Sequence, residues 1–175
     1  MPDLRPIIIT LQLDAKSAAF FQAQREQYFP KQINYTGAHL TLFHNLPGAK
    51  FDAVLEAIGR ACTARPAFEL TVAGVMKLGR GVAYKFKSDI LMSLRADLAR
   101  AFAPLLVGQD REEFRPHLTI QNKVAPHEAG ALFDHLNAEF TVFSATAEGI
   151  QLWSYEGGRN RAGTWASAGA IAFQG

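Results

Sequence analysis

Apolar and polar positions along this chain follow two periods, and the switches between them divide it into elements. Pro6 to Leu13 is rich in β-branched residues and predicts a strand. Ala15 to Tyr28, closed by Phe29-Pro30, predicts a helix, and so does Ser88 to Leu106, with Ser88 or Asp89 as its N-cap. Helical spacing recurs over Phe51–Ile58 and His127–Leu136. Strand-like segments at Phe68–Val72 and Phe140–Phe143 each lead into a Gly-punctuated hairpin, at Leu78–Tyr84 and Tyr155–Gly163, and Thr164–Phe173 completes the second.

Within this pattern one tetrapeptide returns: His39-Leu40-Thr41-Leu42 reappears as His117-Leu118-Thr119-Ile120. Both copies sit in apolar runs that read as short strands. Alternation then puts His and Thr on one face and Leu40 or Leu118 on the other, toward a core. A lone strand histidine is more often structural than catalytic, but a matched pair changes the balance. Two imidazoles and two hydroxyls facing one point are suited to moving protons around an anionic phosphorus centre.

The repeat extends beyond the motif, because a strand, helix, strand, strand order follows each copy. The economical fold is α+β: a bilobal pseudo-two-fold duplication in which two mainly antiparallel sheets line a central cleft and helices lie outside. No linker interrupts residues 1–175, so one bilobal domain is expected, and a hydrophobic content of 49% is enough for one substantial core.

Composition narrows the chemistry. The single cysteine, Cys62, cannot form an intramolecular disulfide and reads as an ordinary helix position. A net charge of +2 permits a phosphate ligand without indicating a long nucleic-acid groove. No stretch has signal-peptide or transmembrane character, which predicts a cytoplasmic protein without a membrane partner. His/Cys/Asp spacing near the motifs does not follow metal-site patterns, so neither metal nor cofactor is expected. In a regular strand His44 faces away from His39, and His127 and His135 read as solvated helix positions.

The paired motifs, with Pro30 and a spacer before Ala38-His39-Leu40-Thr41-Leu42-Phe43 and the Arg115-Pro116-His117 context of the second copy, resemble the two-histidine phosphoesterase superfamily, especially its 2′-5′ RNA ligase-like branch. The resemblance covers essentially the whole chain. It implies metal-independent opening of 2′,3′-cyclic phosphates on RNA ends or nucleotides, with His39 and His117 as the acid/base pair and Thr41 and Thr119 binding the phosphate. Which histidine is base and which acid stays open at this level. Many relatives carry an Arg shortly after the second motif, where this chain has Gln121-Asn122-Lys123, so Lys123 is the candidate substitute cation. Arg115 is the cation nearest the second motif. Phe43, Tyr84, Trp153 and Tyr155 are candidate base-stacking faces, and Arg80, Lys85, Arg159 and Arg161 are candidate phosphate contacts. The alternatives are a non-catalytic nucleotide- or RNA-binding module, a phosphoesterase for another small cyclic phosphate, and a structural interaction protein. No obligate protein partner is indicated.

Overall fold

The computed structural model describes residues 3–157 and 163–175. The elements, in chain order, are β1 (Ile7–Leu13), α1 (Ala15–Tyr28), β2 (Leu40–Leu46), α2 (Phe51–Thr63), β3 (Phe68–Leu78), β4 (Gly81–Lys87), α3 (Asp89–Ala101), β5 (His117–Gln121), α4 (Pro126–Glu139), β6 (Phe143–Tyr155) and β7 (Trp165–Ala172). Local chemistry sets their ends. The Asp14 carboxylate caps α1 by accepting the Ser17 N–H at 2.9 Å, and it also takes the Thr146 N–H at 2.8 Å, which ties the helix start to β6. Ser88 Oγ caps α3 through the Leu91 N–H at 3.1 Å. Pro126 at the first turn of α4 costs no hydrogen bond, because that N–H would lie outside the ladder anyway.

Two boundaries differ from the pattern reading. The second long helix ends at Ala101 instead of Leu106, because Pro104 has no N–H with which to continue the ladder; a short 3-10 turn, Ala103–Leu105, takes its place. Phe140 is the extended C-cap of α4, and sheet pairing begins only at Phe143, opposite Val72.

All seven strands join one antiparallel sheet in the order β1-β2-β5-β4-β3-β6-β7, and an extra pairing of β1 with β6 closes it. The expectation of two separate sheets is therefore corrected. Strand, helix, strand, strand does follow each motif, but the β3–β4 hairpin of the first half pairs with β5, the motif strand of the second. In return β6 pairs with β1, which flanks the first motif strand. Each half thus completes the surroundings of the other, and neither closes a sheet alone.

This exchange leaves β2 and β5 adjacent, with Leu40 opposite Leu118. The same register line continues to Leu11 on β1 and to Tyr84 on β4. Leu11, Leu40, Leu118 and Tyr84 form a buried row across four strands, on the core face. Phe21 of α1 packs edge-on to Tyr84 at a centroid distance of 5.4 Å, and the Tyr84 hydroxyl donates to Gln24 Oε1 at 2.8 Å. Leu40→Ala would remove the centre of that row. Denaturant unfolding should show a loss of about 2–5 kcal/mol, the range for a buried Leu→Ala change, whereas a loss under about 1 kcal/mol would contradict this packing.

Candidate active site

Antiparallel counting from the Leu40–Leu118 pair sets His39 opposite Thr119 and Thr41 opposite His117. Side chains directly opposite share a face, so the four polar motif residues form a crossed square above the leucine row. They line one cleft of about 320 Å³. Both rings are held alike: His39 Nδ1 donates to the Gly37 carbonyl at 2.7 Å, and His117 Nδ1 donates to the Arg115 carbonyl at 2.7 Å. A carbonyl only accepts, so Nδ1 carries the hydrogen and Nε2 is the ring nitrogen left for chemistry.

Two buried arginines brace this square crosswise. Arg25, on the helix before the first motif, donates to the Thr119 carbonyl in the second motif at 3.0 Å. Its other contacts are Asn34 Oδ1 at 2.8 Å and Thr36 Oγ1 at 3.3 Å, on the segment leading to His39. Arg95, on the helix before the second motif, donates to the Leu42 carbonyl in the first at 2.7 Å. Each guanidinium also lies over an aromatic ring, Arg25 at 4.0 Å from the Phe29 centroid and Arg95 at 3.9 Å from that of Phe43.

Burial pushes the His39 imidazole down to about 4, against the pull of the Gly37 carbonyl; the positive charges of Arg25, His44 and His117 add to the lowering. Trp165 contributes to that burial, its ring 4.5 Å from the His39 ring. Trp153 backs Trp165 at 6.1 Å and donates its Nε1 hydrogen to Thr10 Oγ1 at 2.9 Å.

The structure sorts the other sequence candidates. Arg115 borders the cleft, its exposed guanidinium paired with Glu113 at 2.9 Å. Phe43 and Tyr84 belong to the core and do not offer stacking faces. Tyr84 is opposite Leu118 and therefore on the face away from His117. Phe43 is fully buried because β2 is bulged: Thr10 pairs with Thr41 but Ile9 with Phe43, so Leu42 is an extra residue. The bulge inverts the alternation beyond it and brings His44, expected on the opposite face, to the cleft. Lys123 sits in the turn after β5 with φ of 62°, two residues past the end of the strand and away from the cleft lining. Tyr155 is at the far end of β6; its ladder partner Trp165 borders the cleft in its place. Arg80 serves the β5–α4 turn, donating to the Val124 carbonyl at 3.1 Å, and Lys85 lies over Gly74. Arg159 and Arg161 fall outside the described residues.

Sequence reasoning missed Arg25, Arg95, Asp110 and Trp165. Asp110 comes from a 3-10 turn (Gly108–Arg111) and binds His44, a contact between segments that no local pattern announces. Among the described residues no three His, Cys, Asp or Glu side chains cluster as a metal site would require. No helix among them is long and apolar enough to cross a membrane.

A closed antiparallel sheet carrying two His-x-Thr strands side by side is the architecture of a two-histidine phosphoesterase. Residues 13–159 match the family model of the 2′-5′ RNA ligase superfamily, and the chain belongs to that family. Among solved structures it is similar to TT0787 of Thermus thermophilus, with 16% identity, a TM-score of 0.73, and coverage of 97% of this chain and 98% of that one. It is also similar to Escherichia coli LigT complexed with 3′-AMP, with 18% identity, a TM-score of 0.66, and coverage of 98% and 99%. The phosphate complex of LigT gives 17% identity, a TM-score of 0.63 and 99% coverage of both chains. No curated protein sequence matches this chain.

Because Trp165 shields His39 from water, Trp165→Ala should raise the His39 pKa from about 4 toward the ordinary 6.5. An NMR titration of the imidazole Cε1–H follows this directly; an unchanged titration would remove Trp165 as a source of the shift.

Proposed function

We propose that this chain is a metal-independent phosphodiesterase that opens 2′,3′-cyclic phosphates on RNA ends or nucleotides to 2′-phosphates, with His39 and His117 as the acid/base pair. The observation that carries this reading is the crossed square: two imidazoles, both with Nδ1 tied to a backbone carbonyl, each set across the strand pair from a threonine hydroxyl. Binding alone needs no such matched pair of proton carriers. The LigT complexes with 3′-AMP and phosphate support a nucleotide phosphate as the ligand class. The repeated element order supports a duplicated ancestor whose two halves each contributed one motif.

The depressed pKa of His39 supports the role of base for His39 and of acid for His117. At neutral pH its Nε2 is unprotonated and takes a proton from water as the water oxygen bonds to phosphorus. The bond from phosphorus to the ribose 3′ oxygen breaks, and His117 delivers a proton from its Nε2 to that oxygen. Thr41 and Thr119 donate hydrogen bonds to the non-bridging oxygens, a preorganised electrostatic contribution. Trp165, at the His39 end of the cleft, offers an aromatic face for the base.

Hydrolysis of 2′,3′-cyclic nucleoside monophosphates in EDTA tests the reading. His39→Ala and His117→Ala should each lower kcat by about 10²–10⁴, and Thr41→Val or Thr119→Val by about 10²–10³. Wild-type turnover unaffected by either histidine variant would overturn it.

The pH profile has a definite sign. A base must be deprotonated, so kcat/KM falls only as pH drops through the lowered His39 pKa, and the acidic limb should lie near pH 4. A limb at about 6.5, the ordinary imidazole value, would assign the base elsewhere.

A further inference from the structure

Past Thr41 the cleft continues along β2 to side chains that the two-histidine reaction leaves unused. His44 Nδ1 donates to Asp110 Oδ1 at 2.9 Å. The same carboxylate accepts the backbone N–H of His44 at 2.8 Å and that of Asn45 at 3.0 Å. Asp110 is 2% exposed, and although burial acts to raise its carboxyl, these donors outweigh it and hold the group below the usual carboxylate range. A buried carboxylate that takes three N–H donors fixes the His44 ring and leaves Nε2 as its free nitrogen, on a side chain that lines the cleft.

Beside it stands Arg95, 6% exposed and also lining the cleft. Its Nε serves the Leu42 carbonyl and its Nη2 the Asp110 carbonyl at 3.0 Å, while Nη1 has no hydrogen-bond partner among the described residues. Nη1 is not fully enclosed, so at the cleft wall it is free to donate to an acceptor from outside the chain. Glu112 and Glu113 border the same end, but both are exposed and Glu113 is paired with Arg115, so solvent screens them. A group inside the cleft meets the buried Arg95 and the braced His44 first.

We infer that His44 and Arg95 form a second anion subsite, which takes a phosphate of the substrate other than the one that reacts. The inference rests on the cyclic-phosphodiesterase reading and sharpens its substrate class: cyclic phosphate esters that carry a further phosphate, in preference to lone cyclic nucleoside monophosphates. Spacing separates the two sites: Leu42 is the extra residue of the bulge, so Thr41 and His44 stand about two residues of β1 apart, roughly 7 Å along the strand, beyond the width of a single phosphate. With Nδ1 held by Asp110, Nε2 is the ring nitrogen that meets the anion.

The test compares kcat and KM for a nucleoside 2′,3′-cyclic phosphate with those for the same compound bearing a 5′-phosphate, in wild type, His44→Ala and His44→Gln. Wild type should prefer the 5′-phosphorylated substrate by at least about tenfold in kcat/KM, carried by KM, as one charge-assisted hydrogen bond supplies. His44→Ala should bring the ratio close to one. His44→Gln, which keeps a donor but no charge, should fall between. His44 is an exposed strand residue, and thermal unfolding of both variants checks that they fold. A wild type without preference, or a preference that survives His44→Ala, overturns the subsite. Equal losses on both substrates would move His44 to the reacting phosphate and also overturn it. Failure of wild type to turn over either compound overturns the phosphodiesterase reading itself.

Discussion

Everything at this site depends on one strand pairing. With Leu40 opposite Leu118, each histidine stands across from the threonine of the other motif, and a slip of either strand by one residue would turn that strand's histidine and threonine into the core. The pairing is short, so its register needs outside support. The buried leucine row beneath supplies one constraint and the two crossed arginines another, each reaching from the helix before one motif to the backbone of the other. The halves are thereby fixed to each other through the strands that carry the two motifs.

The same arginines set the electrostatics. Among the described residues Arg25 has no carboxylate partner; its hydrogen bonds go to a backbone carbonyl, an amide and a hydroxyl. Burying a cation this way is costly, and burial alone lowers its pKa to about 10, which still leaves it charged at neutral pH. Its positive charge, set in a low-dielectric wall beside His39, works in two directions. It helps keep His39 unprotonated, and it favours any anion that enters the cleft. A phosphate-ester enzyme needs both effects, and one side chain supplies them.

The outline of this molecule was readable wherever the signal was local. The His-x-Thr repeat, the Ser88 cap at the start of α3, the Gly79-Arg80 hairpin and the inward leucines all follow from short-range pattern. What escaped depends on long-range pairing. The sheet is continuous because β4 crosses to β5 and closed because β6 returns to β1, and no repeat period announces either pairing. The bulge at Leu42 reversed the faces of Phe43 and His44, since a single inserted residue is invisible to alternation counting. Asp110, Arg25 and Trp165 reached the site through contacts between distant segments, and Lys123 missed it because the turn after β5 carries it beyond the strand's functional end.

The most direct test of the account is a double-variant cycle on 2′,3′-cyclic nucleotide hydrolysis in EDTA, using His39→Ala, His117→Ala and the two combined. If the two imidazoles act as one proton-transfer unit held by the β2–β5 register, the double variant should lose little more rate than either single one. Losses that multiply would show two histidines working independently, and would contradict it.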